Sequence, residues 1–187
     1  MQVTDEWLAS LARALNTKLK KVQGDAIKAI IFECDRQEVK DARHIAYILA
    51  TAYHECRFLS IPEIRAKAGS PVWKMQEAYW HTGFYGRGLC QLTWERNYRK
   101  FTVVAGVDMV QNPDKMLDVA IGAKVLVFGM MNGSFTALNL SSKNNLTKYF
   151  NDKQADFMGA RRIINGTFQA DKVRDAALKI LPLIDLL

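Results

Sequence analysis

The stretch DARHIAYILATAYHE, residues 41–55, decides the fold prediction. It is apolar around most of its circumference and contains four small alanines. This pattern is typical of a helix that neighbouring elements enclose on all sides. We therefore predict that residues 41–55 form the central core helix, with Glu55 at its carboxyl end.

Further helices are predicted on both sides of this segment. Apolar residues recur at helical spacing from Trp7 to Leu15, after Thr4, whose side chain can cap a helix start. The periodicity fades between residues 57 and 85, where only 72–80 favours a short helix, and a long loop region of this kind is often functional. The remaining predicted helices cover residues 23–34, 98–104, 114–131, 156–164 and 171–187, the last of them stopping or kinking at Pro182. We expect one mainly α domain over residues 1–187, without a separate binding module.

The composition indicates an ordinary globular protein with a basic surface. Its residues are 49% hydrophobic and 24% charged, and the formal net charge is +7. This charge favours a polyanionic partner such as nucleic acid, anionic lipid or an acidic cell-envelope polymer. Because the chain has neither a long basic run nor interleaved aromatic residues, nucleic acid is not the expected partner, although binding of DNA through the basic surface stays an alternative.

Cysteine and histidine spacing argues against a disulfide framework and a metal centre. Cys34, Cys56 and Cys90 have no paired spacing, which indicates folding in a reducing cytoplasm. The three histidines form no HExxH arrangement, so we expect neither a metal nor another cofactor. A nucleophilic Cys56 or Cys90 assisted by histidine stays an alternative to inert buried thiols. Charged residues interrupt every apolar run before about 20 residues, so we expect no signal peptide or transmembrane segment.

Glu55 is the first candidate for catalysis. A carboxyl group at the end of an apolar helix loses hydration, which disfavours its charged form and suits a general acid. The alternative is a structural glutamate paired with an arginine, for which Arg43, Arg57 and Arg87 are available. Hydrolysis by a general acid often uses a second carboxylate as base or nucleophile, and the loop offers Glu63 and Glu77. The glycines at positions 83, 86 and 88 lack Walker or Rossmann spacing and indicate a tight turn that brings the backbone close to a ligand.

Three motifs resemble glycoside hydrolase family 19. They are AYHE at 52–55, YGRGLCQLTWERNY at 85–98 and RRIING at 161–166, and they occur in the family's order. NPD at 112–114 and GMMNGSFT at 129–136 also resemble the family. The chain looks closer to the phage endolysin branch than to plant chitinases. The resemblance implies a lysozyme-like helical fold with two lobes and a central substrate cleft.

The resemblance also implies catalytic roles. Glu55 would protonate the departing glycosidic oxygen, and a second carboxylate would activate water. Counting back from the turn at Tyr85 selects Glu63 for the second role, whereas counting forward from Glu55 selects Glu77; we favour Glu63. Thr93 occupies the position of a Ser or Thr whose hydroxyl helps to hold the attacking water.

Five further residues are implied in substrate binding. Gln91, Asn97 and Asn165 match residues that hydrogen-bond the N-acetyl and hydroxyl groups of the sugar. Tyr85 and Arg87 would shape the cleft wall, and Arg87 is also a candidate charge partner of Glu55. Three other arginines are weaker candidates, namely Arg161, Arg162 and Arg174.

The predicted activity is hydrolysis of β-1,4 bonds in peptidoglycan, as a muramidase. The segment CRFLSIPE after the first motif lacks the longer loop of chitinases, which favours peptidoglycan over chitin, and the negative charge of peptidoglycan suits a basic enzyme. Inversion would require the carboxyl groups of Glu55 and Glu63 to lie about 6.5 to 9.5 Å apart, and retention about 5 to 5.5 Å. The alternatives are a chitinase, a lytic transglycosylase and a catalytically silent glycan-binding phage protein.

The resemblance to phage lysins suggests where the protein acts. We expect a monomer that stays in the host cytoplasm until another protein opens the inner membrane, or one that the virion carries. The segment DKVRDAALKILPLIDLL, residues 171–187, is predicted to be a packing helix, with weak contact to anionic membrane as the alternative.

Overall fold

Helix α3, the segment predicted to be central, lies in the core of the protein. The computed structural model describes all residues, Met1–Leu187. Ten of the fifteen residues of α3 are buried, and the helix packs chiefly against the last helix of the chain. A single cluster of 42 buried residues runs through the protein, so the elements share one core. The prediction of a mainly α protein is therefore confirmed.

The protein contains eight α-helices and one small antiparallel sheet. The helices are α1 Asp5–Ala14, α2 Lys21–Arg36, α3 Ala42–Cys56, α4 Pro71–Gln76, α5 Glu95–Ala105, α6 Val119–Asn132, α7 Leu146–Tyr149 and α8 Ala170–Ile184. The strands are β1 Phe150–Asn151 and β2 Gln154–Ala155. Three 3₁₀ turns cover Trp80–Thr82, Pro113–Leu117 and Gly159–Ile163.

Local capping explains where several helices begin and where α3 ends. The Thr4 side chain accepts a hydrogen bond from the Trp7 amide at 3.1 Å, as predicted for α1. At the other end of α3, Arg57 and Phe58 adopt left-handed backbone angles, with φ of 54° and 60°. The Arg57 carbonyl also accepts a 2.7 Å bond from the Gln23 side chain of α2. The chain therefore turns away directly after α3, and Glu55 is held in its last turn.

Several predicted helix ranges differ from the structure, and the range 114–131 divides into the turn Pro113–Leu117 and α6. Helix α8 does not stop at Pro182 but continues to Ile184. Val173, Ala177, Ile180 and Ile184 lie in the core, and burial of this face stabilises the helix beyond the proline. The segment predicted as a helix over 156–164 forms only the 3₁₀ turn Gly159–Ile163. No helix combines the length and the apolar character that crossing a bilayer requires.

Candidate active site

A cavity of about 330 Å³ brings together five of the predicted site residues. They are Glu55, Gln91, Thr93, Asn97 and Asn165. The same cavity is also lined by Tyr79, Cys90, Leu92, Trp94, Arg96, Phe135 and Ile164. Its walls therefore come from the end of α3, the stretch leading into α5, and segments after α4, α6 and the turn at 159–163. Glu55 is the one carboxyl group among the lining residues.

Glu55 is paired with Arg161. The Nη1 atom of Arg161 donates a hydrogen bond to Glu55 Oε1 at 2.6 Å, and its Nε atom donates to the Phe168 carbonyl at 3.2 Å. The Arg161 side chain is 2% exposed and that of Glu55 is 15% exposed. The buried Arg161 side chain thus joins the 159–163 turn to Glu55 and holds the Glu55 carboxyl group at the cavity.

The arginines that the sequence suggested as partners of Glu55 are engaged elsewhere. Arg43 bonds the Asp41 carboxylate, and the Arg57 guanidinium lies over the Tyr53 ring. Arg87 donates to Asp114 Oδ1 at 2.7 Å. The suggested pairing with Arg43, Arg57 or Arg87 is therefore wrong, because packing brings Arg161 to Glu55 instead.

His54, the neighbour of Glu55, adds no positive charge to the site at neutral pH. Burial is the largest cause that lowers the pKa of His54, and the nearby Arg161 guanidinium lowers it further. A neutral imidazole is therefore the form present at pH 7. The charge balance near Glu55 is set by Arg161.

Glu63 lies outside the cavity lining but is connected to it through Tyr79. Its Oε1 atom accepts hydrogen bonds from the Tyr79 hydroxyl and from Gln76 Nε2, both at 2.8 Å. Its Oε2 atom accepts the Gly86 amide at 3.0 Å. Burial and the bond to Glu63 raise the pKa of Tyr79, so its hydroxyl remains a donor. Glu63 is held in one orientation, with Tyr79 between its carboxyl group and the cavity.

Glu77, the rival second carboxylate, lies outside this arrangement. It follows α4, is half-exposed and pairs with Arg65. It is absent from the cavity lining.

The glycine turn at 83–88 packs against Glu63. A Cβ atom on Gly86 would stand 2.9 Å from Gln91 Oε1 and 3.2 Å from Glu63 Oε2. Only a residue without a side chain lets the backbone amide approach the Glu63 carboxylate. The sequence predicted a tight turn whose backbone approaches a ligand. In the structure the turn is present, and its backbone approaches the Glu63 carboxylate.

Replacing Gly86 by Ala is expected to destabilise the protein by about 1 to 3 kcal/mol, because Glu63 and Gln91 must both move. Urea unfolding followed by circular dichroism measures this loss. Gly24→Ala in α2 is the control, because its added methyl group meets only the flexible end of Leu8 and alanine favours helix. Equal stability of the Gly86→Ala variant and the wild type would contradict the close packing at the turn.

Tyr85 and Arg87 hold the loop and do not line the cavity. The Arg87 side chain is buried and donates through Nη1 to the carbonyls of Gly83 and Tyr85, and to the Tyr98 hydroxyl. The Tyr85 ring stacks on Trp80 at a centroid distance of 4.5 Å. Both residues thus hold the loop through contacts within it, and their predicted place in the cleft wall stays a prediction.

The side-chain nitrogen atoms of Gln91 and Asn97 are bound within the protein. Gln91 Nε2 donates to the carbonyls of Ile61 and Gly88, at 3.0 and 3.1 Å, and Asn97 Nδ2 donates to the Thr93 carbonyl at 2.8 Å. The Thr93 hydroxyl donates to the Gln91 carbonyl at 2.9 Å. Their oxygen atoms are left as acceptors, which suits N–H and O–H groups of a neutral sugar or a water molecule.

Sequence reasoning missed three aromatic residues at the cavity, namely Tyr79, Trp94 and Phe135. Trp94 is 39% exposed, adopts a positive φ of 75°, and meets the Tyr79 ring edge-on at 5.2 Å. A bulky residue with positive φ is strained, and such strain concentrates at functional sites. Trp94 lies within the motif at 85–98, so its residue type was visible in the sequence. No motif or spacing in the sequence indicated that Tyr79 lies at the cavity.

Cys56 and Cys90 do not have the character of nucleophiles. Both thiols are buried, and burial raises the pKa of Cys56 to about 12. Burial also raises the pKa of Cys90. Because the thiolate is the reactive form, these cysteines are inert near neutral pH. No group of three His, Cys, Asp or Glu side chains is placed to hold a metal ion.

Comparisons of the chain with protein-family models, with characterised proteins and with solved structures found no match. The resemblance to glycoside hydrolase family 19 therefore stays a prediction from the three motifs. What the structure adds is a cavity at which residues from all three motifs meet.

Proposed function

We propose that the protein is a glycoside hydrolase that cleaves the β-1,4 bonds of peptidoglycan, with Glu55 as its proton donor. The observation that carries this proposal is the cavity in which the Glu55 carboxyl faces neutral amide and hydroxyl groups. The proposal includes a lysozyme-like architecture of two lobes around this cavity and a single catalytic domain. The net charge of the protein, +7, supports an anionic glycan as substrate over neutral chitin.

The position of Glu55 gives one of its carboxyl oxygens access to a leaving group. A general acid must be held within hydrogen-bond reach of the oxygen that it protonates. The bond from Arg161 leaves Glu55 Oε2 without a partner inside the protein, so this oxygen is available to a glycosidic oxygen. The acceptors of Gln91, Asn97 and Thr93 would orient the sugar and a water molecule beside it.

Glu63 is the best-placed second carboxylate. Three hydrogen bonds fix it, and Tyr79 joins it to the cavity. If Glu63 is the base that activates water across the sugar ring, the Tyr79 ring has to move as substrate binds. Inversion, with the two carboxyl groups about 6.5 to 9.5 Å apart, stays the proposed stereochemical course.

Mass spectrometry of fragments released from purified peptidoglycan tests the proposal. Wild type is expected to leave reducing N-acetylmuramic acid ends. Glu63→Gln is expected to slow release by about 100-fold, because the base that activates water is lost. Glu77→Gln is the matched control and is expected to retain full activity.

The folding of Glu63→Gln must be checked in the same experiment. A glutamine amide in place of Oε2 would face the Gly86 amide, which is also a donor. A melting curve close to that of wild type would assign the lost activity to chemistry. Full activity in a folded Glu63→Gln variant would remove Glu63 from the mechanism.

A lytic transglycosylase is the second candidate, because Glu55 is the one carboxyl group that lines the cavity. In that reaction a single acidic residue suffices and a hydroxyl of the sugar attacks, which leaves an anhydro end. The same mass spectra distinguish the two activities. Anhydro ends that persist in Glu63→Gln would favour the transglycosylase, whereas reducing ends lost in that variant would favour hydrolysis.

A further inference from the structure

The groove that contains Glu55 continues past Arg96 toward Lys100. Arg96 lines the cavity of Glu55 and also a neighbouring cavity of about 380 Å³, whose wall includes Lys100 and Thr136. The two cavities share Asn97 and Phe135 as well. A ligand longer than one sugar ring at Glu55 could therefore extend across Arg96 into the second cavity.

Arg96 is exposed and has no carboxylate partner. Neighbouring arginines differ in this respect, since Arg99 pairs with Glu95 and Arg161 pairs with Glu55. Arg96 makes neither a side-chain hydrogen bond nor an ion pair, and no acidic residue lines the second cavity. Its guanidinium is thus free to bind an anion in two parallel hydrogen bonds.

Lys100 adds a second positive charge to the same cavity. Its ammonium group donates to the carbonyls of Ser134 and Ala137, which orient it without neutralising its charge. Burial lowers the pKa of Lys100, and the Arg96 charge lowers it further, which agrees with the two cations acting on the same space. An anion beside Arg96 would relieve this repulsion.

We propose that Arg96, supported by Lys100, binds a carboxylate that branches from the glycan strand and so selects an anionic glycan over a neutral one. This inference rests on the proposed function, because it assumes that a glycan occupies the cavity of Glu55. In peptidoglycan the carboxylate has two sources, the peptide attached to every second sugar and, where that peptide has been removed, the lactyl group. Both present the same group to the guanidinium.

Three forms of peptidoglycan test the inference with the full-length protein. They are the intact polymer, the polymer whose free carboxylates have been converted to neutral amides, and strands from which an amidase has removed the peptides, leaving lactyl carboxylates. Fragment release gives KM and kcat, and co-sedimentation gives binding. The variants are Arg96→Gln and Arg96→Lys, with Arg99→Gln as a control of equal charge change on the same helix.

On intact peptidoglycan, Arg96→Gln is expected to raise KM and weaken binding by about tenfold, as for loss of one charge-assisted hydrogen-bonded contact, with little change in kcat. Arg96→Lys should recover part of the affinity, and Arg99→Gln should behave as wild type. Wild type should bind the amidated polymer as weakly as the Arg96→Gln variant binds the intact polymer. Retained Arg96 dependence on stripped strands would show that Arg96 also binds the exposed lactyl carboxylate, and its loss would assign the recognised carboxylate to the peptide.

The inference is overturned if wild type binds intact and amidated polymers equally, or if Arg96→Gln weakens binding to both to the same extent. Equal weakening by Arg99→Gln would also overturn it, because that result indicates an unspecific charge effect. If wild type releases no fragments, the proposed function fails. The sedimentation comparison of intact and amidated polymer still decides whether Arg96 recognises a carboxylate.

Discussion

Replacing Glu55 by Gln is expected to lower the rate of glycan cleavage by about 1,000-fold, within the range that a general acid contributes. The amide is nearly isosteric with the carboxyl group but cannot supply its proton. Its oxygen can still accept the 2.6 Å hydrogen bond from Arg161, which limits the loss of stability, and a melting curve checks that the variant is folded. Release of soluble fragments from peptidoglycan measures the rate, and co-sedimentation measures retained binding.

Glu77→Gln is the matched control for this experiment, because it changes the same group at a half-exposed position away from the cavity. It should cleave as fast as wild type. A folded Glu55→Gln variant that retained the wild-type rate would exclude Glu55 as the proton donor. Wild-type binding without turnover would instead indicate a glycan-binding protein.

Replacing Arg161 by Met is expected to lower the free energy of unfolding by about 3 kcal/mol, the lower end for breaking a buried ion pair. We take the lower end because Glu55 keeps some contact with solvent. For a chain of this size the melting temperature should fall by roughly 10 °C. Thermal unfolding followed by circular dichroism measures the shift, and Arg162→Met, at an exposed neighbour, is the control.

The double variant Arg161→Met with Glu55→Gln separates the ion pair from simple packing. Removing the unpaired carboxylate should recover part of the lost stability, so the two changes are expected to be non-additive. Strict additivity would indicate that the pair contributes little and that Arg161 stabilises the protein through packing and its bond to Phe168.

The local features of this protein were readable from its sequence. Helix α3 was predicted because its apolar residues surround the whole helix, and it is buried in the structure. Gln91, Thr93 and Asn97 were predicted from the resemblance of the motif at 85–98, and this short stretch turns on itself through local hydrogen bonds such as Asn97 Nδ2 to the Thr93 carbonyl. Both kinds of pattern depend on neighbours along the chain.

Only the tertiary structure decided which distant side chains meet. Arg161 lies 106 positions from Glu55, and sequence spacing ranked nearer arginines before it. Arg87 was matched with Glu55 although Asp114 is its partner, and the contact of Tyr79 with Glu63 was not foreseen. The pairing of charged groups depends on how the helices pack, and packing can also override a local rule, as where α8 continues through Pro182. The sequence by itself therefore determined the helices and the candidate chemistry, whereas packing in three dimensions selected the partners that orient it.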